Sequence, residues 1–137
     1  MDKPTIELKL PVIPDMELIA THTAELVGNH MGLTEEQSAE ISMALIEACI
    51  NAFEHSLSNN NVFIHFIIDD ESLIIKVIDQ GIGFDKSKVA IPKIENKLAG
   101  ERKRGWGLEL IKALVDSVEF ESNEDGTTVT MIKKKNI

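Results

Sequence analysis

The sequence has few of the features that would direct a chain into a membrane or an oxidising compartment. It contains one cysteine among 137 residues, Cys49, so no intramolecular disulfide can form. Cys49 lies among apolar helix residues, which is typical of a small core side chain rather than a nucleophile. No apolar run approaches the ~20 residues of a membrane span, and no basic-then-apolar signal segment opens the chain. We therefore expect a cytoplasmic protein without membrane contact.

Basic residues are also scarce, because 14 lysines and arginines stand against 23 acidic residues and the net charge is −9. This balance argues against direct nucleic acid binding. Residues 86–104 hold half of the basic residues and carry a net charge of +5, whereas the rest of the chain carries −14. This stretch is either a solvated loop or a basic cover over a small anion. A second basic cluster, Lys133–Lys135, is interpreted as a solvated strand end or tail.

The length and the 43% hydrophobic content fit a single domain over residues 1–137. Alternation and helical spacing predict eight elements: strands at 5–10, 62–68, 72–79, 117–122 and 127–133, and helices at 15–31, 34–57 and 105–116. Asp15 is a candidate cap of the first helix, and Thr34 with Gln37 forms a capping box for the second. We expect an α/β (α+β) two-layer sandwich, in which about three helices cover one face of a mostly antiparallel mixed sheet of about five strands.

The second predicted helix carries polar side chains at intervals of four residues. Glu47, Asn51 and His55 therefore share one face among small and apolar neighbours. That face is either a polar edge towards water or part of a site. Asn51 offers an amide oxygen, which suits a Mg²⁺ ion held mainly by phosphates and water. Glu47, one turn earlier, could orient and deprotonate an attacking hydroxyl near a γ-phosphate.

A glycine-rich segment, Asp79-Gln80-Gly81-Ile82-Gly83, directly follows an apolar strand. The carboxylate of Asp79 can accept a hydrogen bond from an amino group, such as the exocyclic amine of adenine. Gly81 and Gly83 allow the backbone to approach a flat ring closely. The same pattern also occurs in plain strand turns.

A second glycine-rich segment, Gly105-Trp106-Gly107-Leu108, opens the last predicted helix. Free backbone N–H groups at a helix start attract phosphate, and Arg104 adds a charge that can bind phosphate oxygens. The alternative is a helix start with glycine at a bend, and Trp106 can equally be a core anchor.

In this order and spacing, the chain resembles the GHKL ATPase superfamily, which has the Bergerat nucleotide-binding fold. It is most similar to bacterial anti-sigma factors of the RsbW type, which are serine-protein kinases. Four segments carry the resemblance, and together they span nearly the whole chain: Glu47–Ala52, Asp79–Gly83, Lys103–Leu108 and Gly126–Val129. Lys103 stands where a glycine is frequent in the family, which could stiffen the end of the segment 85–104, the lid that the resemblance implies, without removing a ligand.

The resemblance implies roles for individual residues. Asn51 would bind Mg²⁺, Asp79 would bind the adenine amine, and Glu47 would be the general base. Thr127, or less favourably Thr128, would support the adenine site, since strand alternation lets only one of the two face inward.

The remaining nucleotide contacts that the resemblance implies come from the two glycine-rich segments. Gly81 and Gly83 would line the base. The segment that meets the phosphates comprises Arg104, Gly105, Trp106, Gly107 and Leu108. Residues 85–104 would form a lid over the bound ATP.

The implied function is an ATP-dependent protein serine/threonine kinase and anti-sigma factor. It would phosphorylate an anti-sigma factor antagonist with a STAS domain, and bind a sigma factor when that antagonist is unavailable. Relatives of this kind are usually homodimers.

Three other functions are considered. A detached histidine-kinase-type catalytic domain typically has asparagine where Glu47 stands. An ATP hydrolase such as gyrase or MutL needs a following domain that 137 residues cannot hold. A non-kinase ATP-binding interaction module stays open, because it would keep the same nucleotide ligands.

Overall fold

The computed structural model describes residues 3–55, 61–79, 108–123 and 126–135, which contain three helices and five strands. In chain order these are β1 (Thr5–Pro11), α1 (Met16–Met31), α2 (Glu35–His55), β2 (Asn61–Ile68), β3 (Ser72–Asp79), α3 (the described part, 108–114), β4 (Ser117–Asn123) and β5 (Gly126–Lys134). All eight predicted elements are confirmed. The predicted start of the third helix, 105–107, lies outside the described residues.

The five strands form one sheet in the order β1-β2-β3-β5-β4. Every neighbouring pair is antiparallel, so the described sheet is antiparallel rather than mixed. The last strand of the chain, β5, lies between β3 and β4. β4, the next strand in the sequence after β3, therefore lies at the edge of the sheet, separated from β3 by one strand. This arrangement brings the end of β3 beside the start of β5.

The helices cover one face of this sheet, because alternate side chains of β2 and β3 point towards them. Phe66, Ile75 and Val77 are almost wholly buried on that face. Leu45 of α2 and Ile111 of α3 are buried in the same core, as helical spacing predicts. Burial of each such side chain contributes about 1.5–3 kcal/mol. The helices are thereby fixed over the strands whose ends form the candidate site.

The other face of the sheet carries apolar side chains that are only partly covered. Phe63, Ile67, Ile74, Ile78 and Ile132 are of intermediate exposure. In the part of the chain that the structure describes, no helix is both long and apolar enough to cross a membrane.

The two predicted helix caps have different outcomes. Thr34 and Gln37 form the capping box, in which each backbone N–H donates to the other residue's side-chain oxygen at 3.0 Å. Asp15 stands at the N-cap of α1, but its side chain makes no capping hydrogen bond. Its backbone is left-handed, with φ of 73°, whereas a side-chain cap requires the extended region. The predicted capping role of the Asp15 side chain is therefore wrong.

Lys133 is not part of a solvated strand end, contrary to the prediction. It lies on the helix-facing side of β5 with 8% of its surface exposed. Its Nζ donates to the carbonyl oxygen of Leu114 at 2.7 Å and lies 3.3 Å from a carboxylate oxygen of Glu40. Lys133 thus links the end of α3 to α2, while Lys134 and Lys135 are exposed.

Candidate functional site

A cleft opens where the ends of β3 and β5 meet α2 and α3. Most of its lining is apolar, and three side chains are polar. The lining residues are Ala48, Asn51, Ala52, Val77, Asp79, Leu108, Ile111, Phe120, Thr127 and Val129. The cleft measures about 50 Å³, which is room for a few water molecules or one edge of a flat ring. A larger ligand would extend outwards from it.

Asp79 is the least exposed polar side chain of the cleft lining. It is the last residue of β3 and is only 5% exposed. Alternation along β3 turns it towards the helices, on the same side as Val77 and Ile75. A buried carboxylate is costly unless partners satisfy it. Its position is well suited to accept a hydrogen bond from an amino group that enters between the sheet and α2.

Thr127 lies directly opposite Asp79 in the register of β3 and β5. Its hydroxyl is 3.1 Å from the hydroxyl of Ser122, which is its register partner on β4. Asp79, Thr127 and Ser122 therefore form a polar row across three strands. This row offers both acceptors and donors to one edge of a bound ring.

Thr128, the alternative to Thr127, points to the other face of the sheet. Its register partners are Ile78 on β3 and Glu121 on β4, neither of which lines the cleft. Of the two threonines, only Thr127 contributes to the cleft.

Asn51 projects from α2 and lines the cleft above the sheet. Ala48 and Ala52, its neighbours on the same helix, are small enough to let the cleft approach the α2 backbone. Glu47 is partly buried and lies one helical turn before Asn51. It is not among the residues that line the cleft.

No group of three or more His, Cys, Asp and Glu side chains suited to a metal ion occurs within the described ranges. The side chain of Asn51 offers one amide oxygen, so a metal ion bound through it would need further ligands, such as phosphate or water oxygens.

Leu108 is the only member of the second glycine-rich segment within the described residues, and it lines the cleft from α3. Gly81, Gly83, Arg104, Gly105, Trp106 and Gly107, as well as the proposed lid at 85–104, lie outside the described residues. Their roles stay predictions from the resemblance.

Phe120 on β4 lines the cleft but was not predicted from the sequence. The alternation of residues 117–122 identifies a strand, and it places Phe120 on the same side as Val118 and Ser122. Whether that side faces the cleft depends on β5 lying between β3 and β4, which the sequence alone does not reveal.

Comparisons with known proteins agree with the fold. The family model described as "Histidine kinase-like ATPase domain" matches residues 15–133. A serine-protein kinase RsbW of Bacillus velezensis is 33% identical over 96% of this chain and 86% of its own length. An anti-sigma F factor of Clostridium acetobutylicum is 28% identical over 95% of this chain and 92% of its own.

A solved structure supports the fold independently. The structure of the RsbU and RsbW domains of Rv1364c from Mycobacterium tuberculosis superposes on 96% of this chain and 32% of that chain, with a TM-score of 0.72 and 19% identity. At that identity the similarity concerns the fold alone.

Proposed function

The chain belongs to the histidine kinase-like ATPase family, together with the RsbW serine-protein kinases, and from this we propose that it is an ATP-dependent protein serine/threonine kinase and anti-sigma factor. It transfers the γ-phosphoryl group of ATP to a serine or threonine of a protein partner. The main support is the meeting of Asp79, Thr127 and Asn51 around one cleft.

Asp79 and Thr127 would recognise the adenine base. The buried carboxylate accepts a hydrogen bond from the exocyclic amine, and the neighbouring hydroxyl serves the adjacent ring edge. The apolar lining of the cleft suits the flat ring. Because the cleft is small, at about 50 Å³, the sugar and phosphates would extend outwards along α2, past Asn51.

Asn51 and Glu47 would act at the phosphate end of the nucleotide. The amide oxygen of Asn51 suits Mg²⁺, which prefers oxygen ligands and is commonly held by phosphates with few protein groups. The ion would neutralise negative charge on the phosphates. Glu47, one turn away on α2, accepts the proton of the attacking serine or threonine hydroxyl. The hydroxyl oxygen forms a bond to the γ-phosphorus, and the bond from the γ-phosphorus to ADP breaks.

The proposed protein substrate is an anti-sigma factor antagonist with a STAS domain. When that antagonist is unavailable, the chain binds a sigma factor instead. The names of the relatives, which include an anti-sigma F factor, support this reading. ATP couples to the choice of partner if it binds more tightly in one complex than in the other.

We further propose that the protein acts in the cytoplasm as a single-domain homodimer. The cytoplasm supplies the ATP and the sigma factor that this function requires.

The homodimer is supported by the partly covered apolar side chains on the face of the sheet that the helices do not cover, among them Phe63 and Ile74. A second copy of the chain could pack there. Sedimentation at several concentrations tests the oligomeric state.

Calorimetric titration with ATP, with and without Mg²⁺, tests the nucleotide site. We expect binding by the wild type that requires Mg²⁺, and a marked loss in Asn51→Ala. Ser117→Ala, an exposed change on β4, is the control. Transfer of label from γ-labelled ATP to a STAS-domain protein then tests the kinase reaction. Tight ATP binding without transfer to any such protein would favour the non-kinase ATP-binding interaction module.

A further inference from the structure

Phe120 is an exposed aromatic side chain on the inner side of the sheet. It is 46% exposed, although it lies on the face that the helices cover. Its register partner Val129 is 7% exposed, and Val77, opposite Val129 on β3, is 1% exposed. These three residues form an apolar row directly beside the polar row of Asp79 and Thr127. Val77 and Val129 are therefore buried, whereas Phe120, on the edge strand, remains partly exposed to solvent.

Among the strand residues that the structure describes, one other exposed apolar side chain lies on the helix-covered face, that of Ile6 on the opposite edge strand β1. Ile6 does not line the cleft, whereas Phe120 does. Exposed apolar side chains at an edge strand need no explanation by themselves. An aromatic ring at the border of a cleft with an apolar floor and a polar end is a more specific arrangement. It suits a nucleobase, which has a flat apolar face and a polar edge.

From this geometry we infer that Phe120 contacts the purine ring of the bound nucleotide and contributes to its recognition. The inference rests on the proposed function. β3 and β4 are two strand positions apart, or about 10 Å. A purine whose amine meets Asp79 therefore extends over Val129 towards Phe120. The aromatic side chain covers the base there, and the base in turn removes the exposed ring from water.

The test compares three substitutions at Phe120 by calorimetric titration with ATP, ADP and AMP. Stacking on an aromatic side chain typically changes base affinity by about tenfold or more. We expect Phe120→Ala to lower the affinity for all three nucleotides by the same factor, since the contact does not involve phosphate. Phe120→Leu, which keeps apolar bulk without a ring, loses less. Phe120→Trp keeps wild-type affinity or exceeds it.

Ile6→Ala is the matched control, because Ile6 is an exposed apolar residue on the same face of the opposite edge strand and does not line the cleft. Its affinity for nucleotide should equal that of the wild type. The unfolding temperature of each variant without nucleotide shows whether the fold is intact. If Phe120→Ala lowers that temperature while the folded protein binds all three nucleotides normally, Phe120 is only a packing residue and the inference is wrong.

Two further results separate this inference from the proposed function. A loss of affinity for ATP but not for AMP would place the effect of Phe120 at the phosphates and overturn the base contact. Absence of ATP binding by the wild type would instead refute the proposed nucleotide site, and with it the inference. Normal wild-type binding with an unaffected Phe120→Ala variant would refute the inference alone.

Discussion

Asp79 at the end of β3 and Thr127 near the start of β5 are direct register partners, and both face the helices. The chain separates them by almost fifty residues, and the insertion of β5 beside β3 brings them together. Ser122 on β4 extends the same row, with its hydroxyl 3.1 Å from that of Thr127. A carboxylate and two hydroxyls thus lie in one line across three strands, and two of them, those of Asp79 and Thr127, line the cleft.

Thr127→Ala should weaken ATP binding by about three- to tenfold, because one hydrogen bond to the base is lost. Thr128→Ala makes the same chemical change one residue later, on the opposite face of the sheet, and should leave affinity unchanged. Calorimetry on the two variants gives a matched comparison. Equal losses of ATP affinity in both variants would show that the substitutions disturb β5 as a whole rather than remove a contact in the cleft.

Asp79→Asn should weaken ATP binding by at least about tenfold, since it removes a charged acceptor from the base. The variant keeps nearly the same shape, so the fold should persist. Asp70→Asn, in the exposed turn between β2 and β3, is the control and should bind normally. If Asp79→Asn bound ATP with unchanged affinity, the adenine assignment would be wrong.

Glu47→Gln should bind ATP with nearly wild-type affinity yet transfer phosphate about 10²–10⁴ times more slowly. The amide cannot accept the proton of the attacking hydroxyl. Single-turnover transfer to the protein substrate measures the chemical step, while calorimetry measures binding. Glu54→Gln, an exposed change on the same helix, should affect neither. Wild-type transfer rates in Glu47→Gln would remove Glu47 from the role of general base.

Lys133→Met should lower the free energy of unfolding by about 2 kcal/mol, because it removes a charged donor to the Leu114 carbonyl and a partner of Glu40. Lys112→Met is the control. Its ion pair with Glu109 is exposed, so its loss should cost less than about 0.5 kcal/mol. Urea titration should show a lower midpoint at unchanged slope. Equal midpoints for the two variants would mean that the buried link contributes no net stability.

Local signals in the sequence predict the elements of this fold well. Thr34 and Gln37 lie three residues apart, so their reciprocal capping depends on nothing distant. The alternation in β2 and β3 likewise follows from which side chains are apolar. The predicted solvated position of Lys133 is wrong, because strand alternation determines its position more strongly than its charge does. It continues the inward-facing series of Val129 and Met131, so alternation would have predicted its burial.

The parts of the site that depend on strand order are harder to predict. The resemblance points to Asp79 and Asn51 individually, and alternation narrows the choice to one of Thr127 and Thr128. Phe120 joins the cleft only because β5 separates β4 from β3. Strand order reflects long-range packing rather than local preference, and so no pattern within residues 117–122 reveals it.

Cys49 provides a test of the core that is independent of the nucleotide site. Burial raises the pKa of its thiol from 9.0 to about 12, and the nearby charge of Glu17 adds to the shift. Because the folded state holds this proton more tightly, the resulting stability is fully present below about pH 9 and is lost as the pH rises towards about 12. The free energy of unfolding of the wild type should therefore fall by about 1 kcal/mol relative to that of Cys49→Ala between neutral pH and about pH 10.

Val62→Ala is the control, because it truncates another buried side chain and keeps Cys49. The difference in unfolding free energy between this variant and the wild type should stay constant over the same range. Urea titrations at both pH values measure these differences, and a constant gap between wild type and Cys49→Ala would mean that the thiolate forms equally readily in the folded and unfolded states.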